Sequence, residues 1–236
     1  MKKLMYLVWK PHDQTPELFR DSLLKQASRQ LLATGVQHLR MTFVDNDVSA
    51  AHKLRIVSAS LAATPGIPDA VISFWLNHPS EHSSIESILK QYCNILSGYQ
   101  VSESEPLINT MHPTLSGQRT VGMNQVVFLR KPERLTREQW LELWLKQHTP
   151  IAIATQSTFG YRQNIVTQAL TDNALPIDAI VEENFPPEAM TSAHAFYNAV
   201  GNDALMRKNQ TEMFASVQRF IDLDKLDCLP MSEYNF

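Results

Sequence analysis

Two copies of one short pattern, 121 residues apart, limit what this 236-residue chain can fold into. An apolar run, KLMYLVW at 3–9, is closed by Lys10-Pro11. A second run, from Val121 to Arg130, is closed by Lys131-Pro132. Thr15 and Thr136 then stand at the same separation as helix N-caps, and Phe19 matches Trp140. Leu23 falls on Trp144, and Ala27 on His148. Further on, DAVI at 69–72 matches DAIV at 178–181 at a separation of 109, which places a twelve-residue insertion in the first half, near Asn46 to Pro68. The order of strand, Lys-Pro, Thr-capped helix, strand, Asp-Ala strand and helix recurs, and that recurrence identifies a duplicated unit.

Each half reads β-α-β-β-α-β, the ferredoxin-like pattern. Such a unit is an antiparallel sheet with helices on one face, and its other apolar face must be covered. Two units whose sheets face each other close into a dimeric α+β barrel-like arrangement. A tandem repeat does this within one chain; dimerisation is the other route. The expected class is therefore α+β with two tandem ferredoxin-like units. The first, diverged unit spans 1–110, a linker spans 111–120 and the second unit spans 121–236. The barrel interior is the expected ligand cavity.

In the first half, strands are expected at 3–9, Val36 to Asp45 and Asp69 to Asn77, with extended chain from Gly98 to Leu107. A helix runs from Pro16 to about Ala33 and stops at Gly35. A second opens at Ser83 or Ser84 and runs to about Leu96. The stretch from Asn46 to Pro68 holds a short helix around Ala50 to Ala62 and a TPGIP turn. In the second half, Phe159 to Ala169 and Asp178 to Phe185 read as strands. Pro187 to Val200 and Thr211 to Phe220 read as helical. The chain near Ile221 to Leu229 reads as extended, and PMSEYNF as a tail.

The strongest helix signal lies between the second Lys-Pro and Pro150. Thr136 and Gln139 have capping-box spacing. Trp140, Leu141, Trp144, Leu145, His148 and Ile151 share one side, and Glu138, Glu142 and Lys146 the other. Pro150 is expected to bend or end the helix. His148 is thus a titratable group within an apolar stripe. It is either a packed histidine with its polar edge on a backbone carbonyl or a general acid/base tuned by burial beside indole rings.

Composition narrows the function classes. A net charge of −3 gives no reason to expect a polyanion or a membrane surface as partner. Two cysteines, Cys93 and Cys228, lack metal-type spacing and fit a reduced, cytoplasmic setting. The apolar run after the first residues is too short for a signal segment, and no stretch reaches transmembrane length. With seven glycines and no glycine-rich phosphate loop, nucleophile elbow or CxxC, dinucleotide and nucleophilic motifs are not expected.

The segment LTREQWLELWLKQHTP, preceded by Arg130-Lys131-Pro132 and followed by FGYRQN, resembles the EthD-type family of the dimeric α+β barrel superfamily. In that family an aromatic residue stands four positions before a histidine, followed by a short residue and proline. Here those are Trp144, His148, Thr149 and Pro150. The next strand commonly reads Tyr-Arg-Gln-Asn, as Tyr161 to Asn164 does, and the later Asp-Ala/Gly strand resembles Asp178 to Glu182. The likeness covers roughly 120 to 230. The first half has Ala27 in place of the histidine and lacks the Tyr-Arg-Gln-Asn run, so the resemblance places any activity in the second half. It implies a protein tied to breakdown of small organic compounds; relatives in the superfamily are isomerases, cyclases, dehydratases, cofactor-free monooxygenases and haem-dependent enzymes.

The candidate catalytic residues are His148 and Tyr161; Trp144, Arg162, Asn164 and Glu182 are candidate ligand contacts, and no metal site is expected. Tyr161, Gln163 and Ile165 share one strand face, and Arg162, Asn164 and Val166 the other. Tyr161 protonates or orients a carbonyl oxygen, or is a core aromatic. Arg162 holds a carboxylate bidentately, or is a solvated strand charge. Glu182 and Glu183 point to opposite faces, so one is an inward base and its neighbour solvated. His38 and Arg40 share a face and offer a polar patch inside the barrel. His78 and His82 lack further ligands and read as loop. His194 reads as surface.

Two readings follow. One is a cofactor-free isomerase, dehydratase or lyase that acts on a small apolar organic compound in the barrel cavity through His148. The alternative is a non-catalytic ligand-binding or assembly module of the same fold. A monooxygenase or haem-dependent relative ranks behind both. A homodimer is compatible with either; nucleic acid and membrane are not expected partners.

Overall fold

The computed structural model describes residues 1–63, 65–77 and 82–236. The chain runs β1 (Lys2–Trp9), α1 (16–33), β2 (Gln37–Phe43), β3 (Ala70–Leu76), α2 (His82–Leu89), β4 (Ile95–Leu107) in its first half. It continues β5 (Met123–Leu129), α3 (137–155), β6 (Gly160–Ala169), β7 (Ala179–Phe185), α4 (Asp203–Val217) and β8 (Asp227–Asn235). Between β2 and β3 lie helical turns at Asn46–Leu54 and Ala59–Ala62.

The eight strands close into one barrel in the order β1-β3-β2-β8-β5-β7-β6-β4. Every neighbouring pair is antiparallel. Strands β4-β1-β3-β2 come from the first half and β8-β5-β7-β6 from the second, and the halves meet at the β2–β8 and β4–β6 seams. The barrel therefore closes within a single chain.

Alternation along each strand divides the residues between interior and helix-covered face. Leu4, Tyr6 and Val8 of β1 pack under Phe19, Leu23 and Leu31 of α1, while Val127 and Leu129 of β5 pack under Trp140 and Trp144 of α3. Removing either indole would cost about 3–5 kcal/mol. On the other face Met5, Leu7, Tyr99, Val126, Phe128 and Leu229 belong to one buried interior cluster. The apolar part of the expected ligand cavity is thus occupied by side chains, and a space of about 350 Å³ remains beside Lys3, Arg40, Glu103 and Glu105.

Both long helices begin on a threonine. Thr15 Oγ1 accepts from Leu18 N–H, and Thr136 forms a full capping box with Gln139. Both also contain one widened turn, in which the Ser28 N–H reaches Leu23 O and the Thr149 N–H reaches Trp144 O. Pro150 therefore neither ends nor breaks α3, which continues to Thr155. The widened turn just before the proline gives room where its ring would otherwise meet the preceding turn's carbonyl.

Several expected boundaries move. Helix α2 ends at Leu89, and β4 already begins at Ile95. The stretch from Pro187 forms only short turns at Pro187–Met190 and Ala193–Phe196, and α4 starts at Asp203 with Asn202 as its cap. The expected tail is the larger part of β8, buried along almost all its length. The TPGIP turn and the His78/His82 pair fall partly outside the described residues. No described helix is long and apolar enough to cross a membrane.

Candidate active site

The strand register lays a polar row across the helix-covered face of the second half. Glu183 on β7 lies opposite Tyr161 on β6 and Gln125 on β5, and Gln125 lies opposite Pro230 on β8. Above this floor, α3 contributes Trp144 and His148, and α4 contributes Met213 and Val217. Together they enclose a chamber of about 110 Å³. It adjoins an outer chamber of about 520 Å³ between the Asn46–Leu54 turn, the 187–197 stretch and α4. The two share Ile56, Gln125, Met213, Val217, Leu226 and Cys228.

His148 is buried, with Nδ1 3.0 Å from Ser216 Oγ and its ring against Phe220 at 4.7 Å between centroids. Its polar edge therefore meets a side chain of α4, not a backbone carbonyl. Among the described residues the ring has no other hydrogen bond, which leaves Nε2 without a partner. Burial pulls the imidazole from its ordinary 6.5 down to about 4. Tyr161 is fully enclosed; its hydroxyl accepts from Trp144 Nε1 at 3.4 Å. Burial, with Glu183 nearby, raises the phenol so that it keeps its proton. Gln163 Nε2 donates to Thr149 Oγ1 at 2.6 Å, and Thr149 Oγ1 donates to Trp144 O at 3.0 Å, which fixes the indole.

Glu183 is the residue that sequence reasoning misjudged. It was expected in solvent if Glu182 faced inward, but both neighbours are buried, because helices cover one face of β7 and the barrel closes over the other. Glu183 Oε1 has no hydrogen-bond partner. Burial raises its carboxyl from the ordinary 4.5 to about 8. Every residue of β7 is buried, and the unbroken apolar start of DAIVEENF was the signal for a strand covered on both sides.

The remaining expected ligand contacts lie on the opposite face. Lys3 Nζ donates to Asn164 Oδ1 at 2.8 Å, and Asn164 Nδ2 donates to Glu182 Oε2 at 3.0 Å. Lys3 also pairs with Glu103, and Arg162 with Glu233. Arg162 Nε lies 3.5 Å from Glu182, and Arg40 Nη1 lies 3.7 Å from it. Burial pushes the Glu182 carboxyl up, but Lys3, Arg162 and Arg40 outweigh it and hold the group well below the usual range. The structure thus brings His148, Tyr161 and Trp144 together and places Arg162, Asn164 and Glu182 across the sheet from them. The chain bulges with His38 at φ 51°, so that His38 is exposed while Arg40 reaches inward, and the two still border one open space together with Lys3, Glu103 and Glu105. His194 is partly exposed and pairs with Asp203 at 2.7 Å.

No family model matches this chain, and no curated protein matches it. Solved structures do. An anthrone oxidase-like protein superposes with a TM-score of 0.55 at 8% identity, covering 99% of this chain and 92% of that one. A candidate monooxygenase from Lactobacillus acidophilus NCFM gives a TM-score of 0.49 at 8% identity, covering 98% and 93%. A mutant chlorite dismutase from Candidatus Nitrospira defluvii gives 0.48 at 12% identity, covering 98% and 90%. The fold is the dimeric α+β barrel. At such identities the likeness is one of fold and carries no residue roles. Within this barrel the described residues hold no group of three or more metal-ligating side chains. The space beside His148, about 110 Å³, takes one small ring and not a tetrapyrrole.

Proposed function

We propose that this barrel is an enzyme that moves a proton on a small, uncharged organic molecule, as an isomerase, dehydratase or lyase does, without a resident cofactor. Its site is the chamber between the second-half sheet and helices. The supporting observation is that an unpartnered buried carboxyl, Glu183, and a buried imidazole with a free Nε2, His148, border the same small chamber. Between about pH 4 and about pH 8 Glu183 keeps its proton while His148 lacks one. A neutral acid and a neutral base then stand together, which is the arrangement proton transfer needs at neutral pH.

In this reading His148 Nε2 takes a proton from carbon next to a substrate carbonyl, and Glu183 gives its proton to the carbonyl oxygen. The enol so formed is reprotonated elsewhere, or loses a leaving group, as both residues return to their starting states. Tyr161 keeps its proton and orients the oxygen, and Trp144 forms the apolar wall. Arg162, Asn164 and Glu182 serve the barrel interior in this scheme and do not touch substrate.

Residues 1–110 and 121–236 are two copies of a ferredoxin-like unit, joined by 111–120, with the EthD-type motif kept in the second. In favour of this duplication, the Lys10 N–H donates to Asp69 Oδ2 at 2.9 Å and the Lys131 N–H donates to Asp178 Oδ2 at 2.8 Å, the same contact in each half. The Asp69 N–H reaches Val8 O, and the Asp178 N–H reaches Leu129 O. The matching threonine caps and widened turns point the same way.

The test is deuterium uptake from D₂O by a library of ketones and lactones, read by mass spectrometry, alongside NMR of the His148 ring. The wild type should label at least one compound, and His148→Ala and Glu183→Gln should each slow labelling by about 100-fold or more. No labelling, with a His148 ring that no compound perturbs, would refute the proposal. A shifted ring without labelling would leave a binding module.

A further inference from the structure

The inner chamber does not stand alone, and this bears on what the site accepts. Its wall at Gln125 and Val217 is also the wall of the larger outer chamber. The inner space therefore abuts a second space of about 520 Å³, within the roughly 300–1,000 Å³ range of small-molecule pockets.

The outer walls are mainly apolar, with Leu54, Phe196, Phe214 and Leu223 among them. Its single charged lining residue, Lys53, donates to Thr191 O at 3.0 Å. A cation inserted there would meet no counter-ion among the described lining residues, and an anion would meet only the solvent-exposed Lys53, so either charge would lose more hydration than it regains. One polar atom does want a partner. Gln156, 3% exposed at the C-terminal end of α3, lines this chamber, and its Oε1 accepts no hydrogen bond. Buried acceptors of this kind are rarely left unpaired.

We infer that the substrate is an elongated, uncharged, mostly apolar molecule whose reacting end enters the His148 chamber and whose body fills the outer chamber, where a hydroxyl or N–H donates to Gln156 Oε1. This rests on the His148 chamber being a ligand site. It adds a second ring or chain, the absence of charge and the position of one donor. Gln156 is then a specificity residue, remote from the reacting atoms.

The probes are biphenyl-4-ol, biphenyl, biphenyl-4-carboxylate and cyclohexanone, titrated into the full chain at pH 7 by calorimetry and by NMR of the His148 ring. Biphenyl-4-ol should bind about tenfold more tightly than biphenyl, the factor expected for pairing one buried acceptor. Biphenyl-4-carboxylate should bind more weakly than both. In Gln156→Leu the advantage of the alcohol should vanish while biphenyl keeps its affinity; Gln156→Met repeats the test if the leucine variant does not fold. Equal binding of alcohol and hydrocarbon, an advantage that survives both variants, or tightest binding of the carboxylate would overturn the inference. If cyclohexanone moves the His148 ring and no two-ring probe binds, the elongated class falls and the proton-transfer site stands. If no probe moves that ring, both fall.

Discussion

Replacing Glu183 by glutamine should make this protein more stable at neutral pH, and by an amount that depends on pH. The carboxyl is buried without a partner for Oε1 and titrates near about 8, against 4.5 for an ordinary glutamate. Below about pH 4.5 it is protonated in both folded and unfolded chains and contributes no pH-dependent term. Between about 4.5 and about 8 the unfolded chain releases the proton and the folded chain keeps it. The folded state then holds more protons, so stability falls as pH rises. Each pH unit in that window is worth about 1.4 kcal/mol, giving about 3 kcal/mol by pH 7 and about 5 by pH 8. Against a typical total of roughly 5–15 kcal/mol, that loss is large. Glutamine keeps the shape and has no proton to lose. Urea unfolding of both proteins at half-unit steps from pH 4.5 to 8.5 measures the difference directly, and all other titrating groups cancel to first order. The variant should gain on the wild type throughout the window and level off above about 8. A difference that stays flat with pH would show that Glu183 is solvated or paired, and the acid/base assignment would fall with it.

Four other substitutions test separate parts of the structure. His148 titrates near about 4, against 6.5 when unfolded, so the wild type should gain about 3 kcal/mol between those pH values, and His148→Phe should lose that slope in the same unfolding series. Lys3→Met strips Glu182 of a cation 3.4 Å away inside the barrel and should cost about 3–5 kcal/mol, with part recovered in Lys3→Met/Glu182→Leu. Gly122→Ala should be among the worst single changes, above about 4 kcal/mol, because its Cβ would lie 1.9 Å from Phe185 O at a φ of +76°. Gly35→Ala, also at positive φ but with nothing within 4 Å, should cost only about 1–2 kcal/mol by thermal melts.

Much of the fold was legible because the repeated residues do the same mechanical work twice. Lys-Pro ends a strand, the threonine caps the helix, and the Asp of Asp-Ala ties the strand start back to the residue before proline. These are local contacts, and local contacts leave local signatures. The last strand was missed because Pro230, Ser232, Glu233 and Asn235 look like a tail. They are tolerated in β8 because Glu233 accepts from Thr120 and Asn124, and Ser232 donates to Asp45, partners far away in sequence. Of the candidate site, His148 and Tyr161 were legible in the sequence, while Glu183 was left open as one of two neighbouring glutamates on opposite strand faces. Its role depends on the β5–β7–β6 register and on both faces of β7 being covered, which one strand's alternation does not reveal.

The filled interior follows from closing the barrel within one chain. In a barrel made of two identical subunits, every inward charge appears twice, related by symmetry. Here the halves differ in sequence, and opposite charges meet across the seams. Lys3 and Arg40 of the first half face Glu182 and Glu233 of the second, while Arg162 of the second faces Glu105 of the first. Such pairing aligns the two sheets and opposes wrong registers by leaving a buried charge alone. With these interior side chains committed to joining the halves, the chamber proposed for a ligand lies outside the barrel, beneath the helices of the second half. Only the second half has the histidine there, since Ala27 stands where His148 would be and packs in the core under α1. Tyr161 and Arg162, adjacent in sequence, illustrate the division: one faces the chamber, and the other turns into the barrel, where it meets Glu182 and Glu233 of its own half and Glu105 of the other.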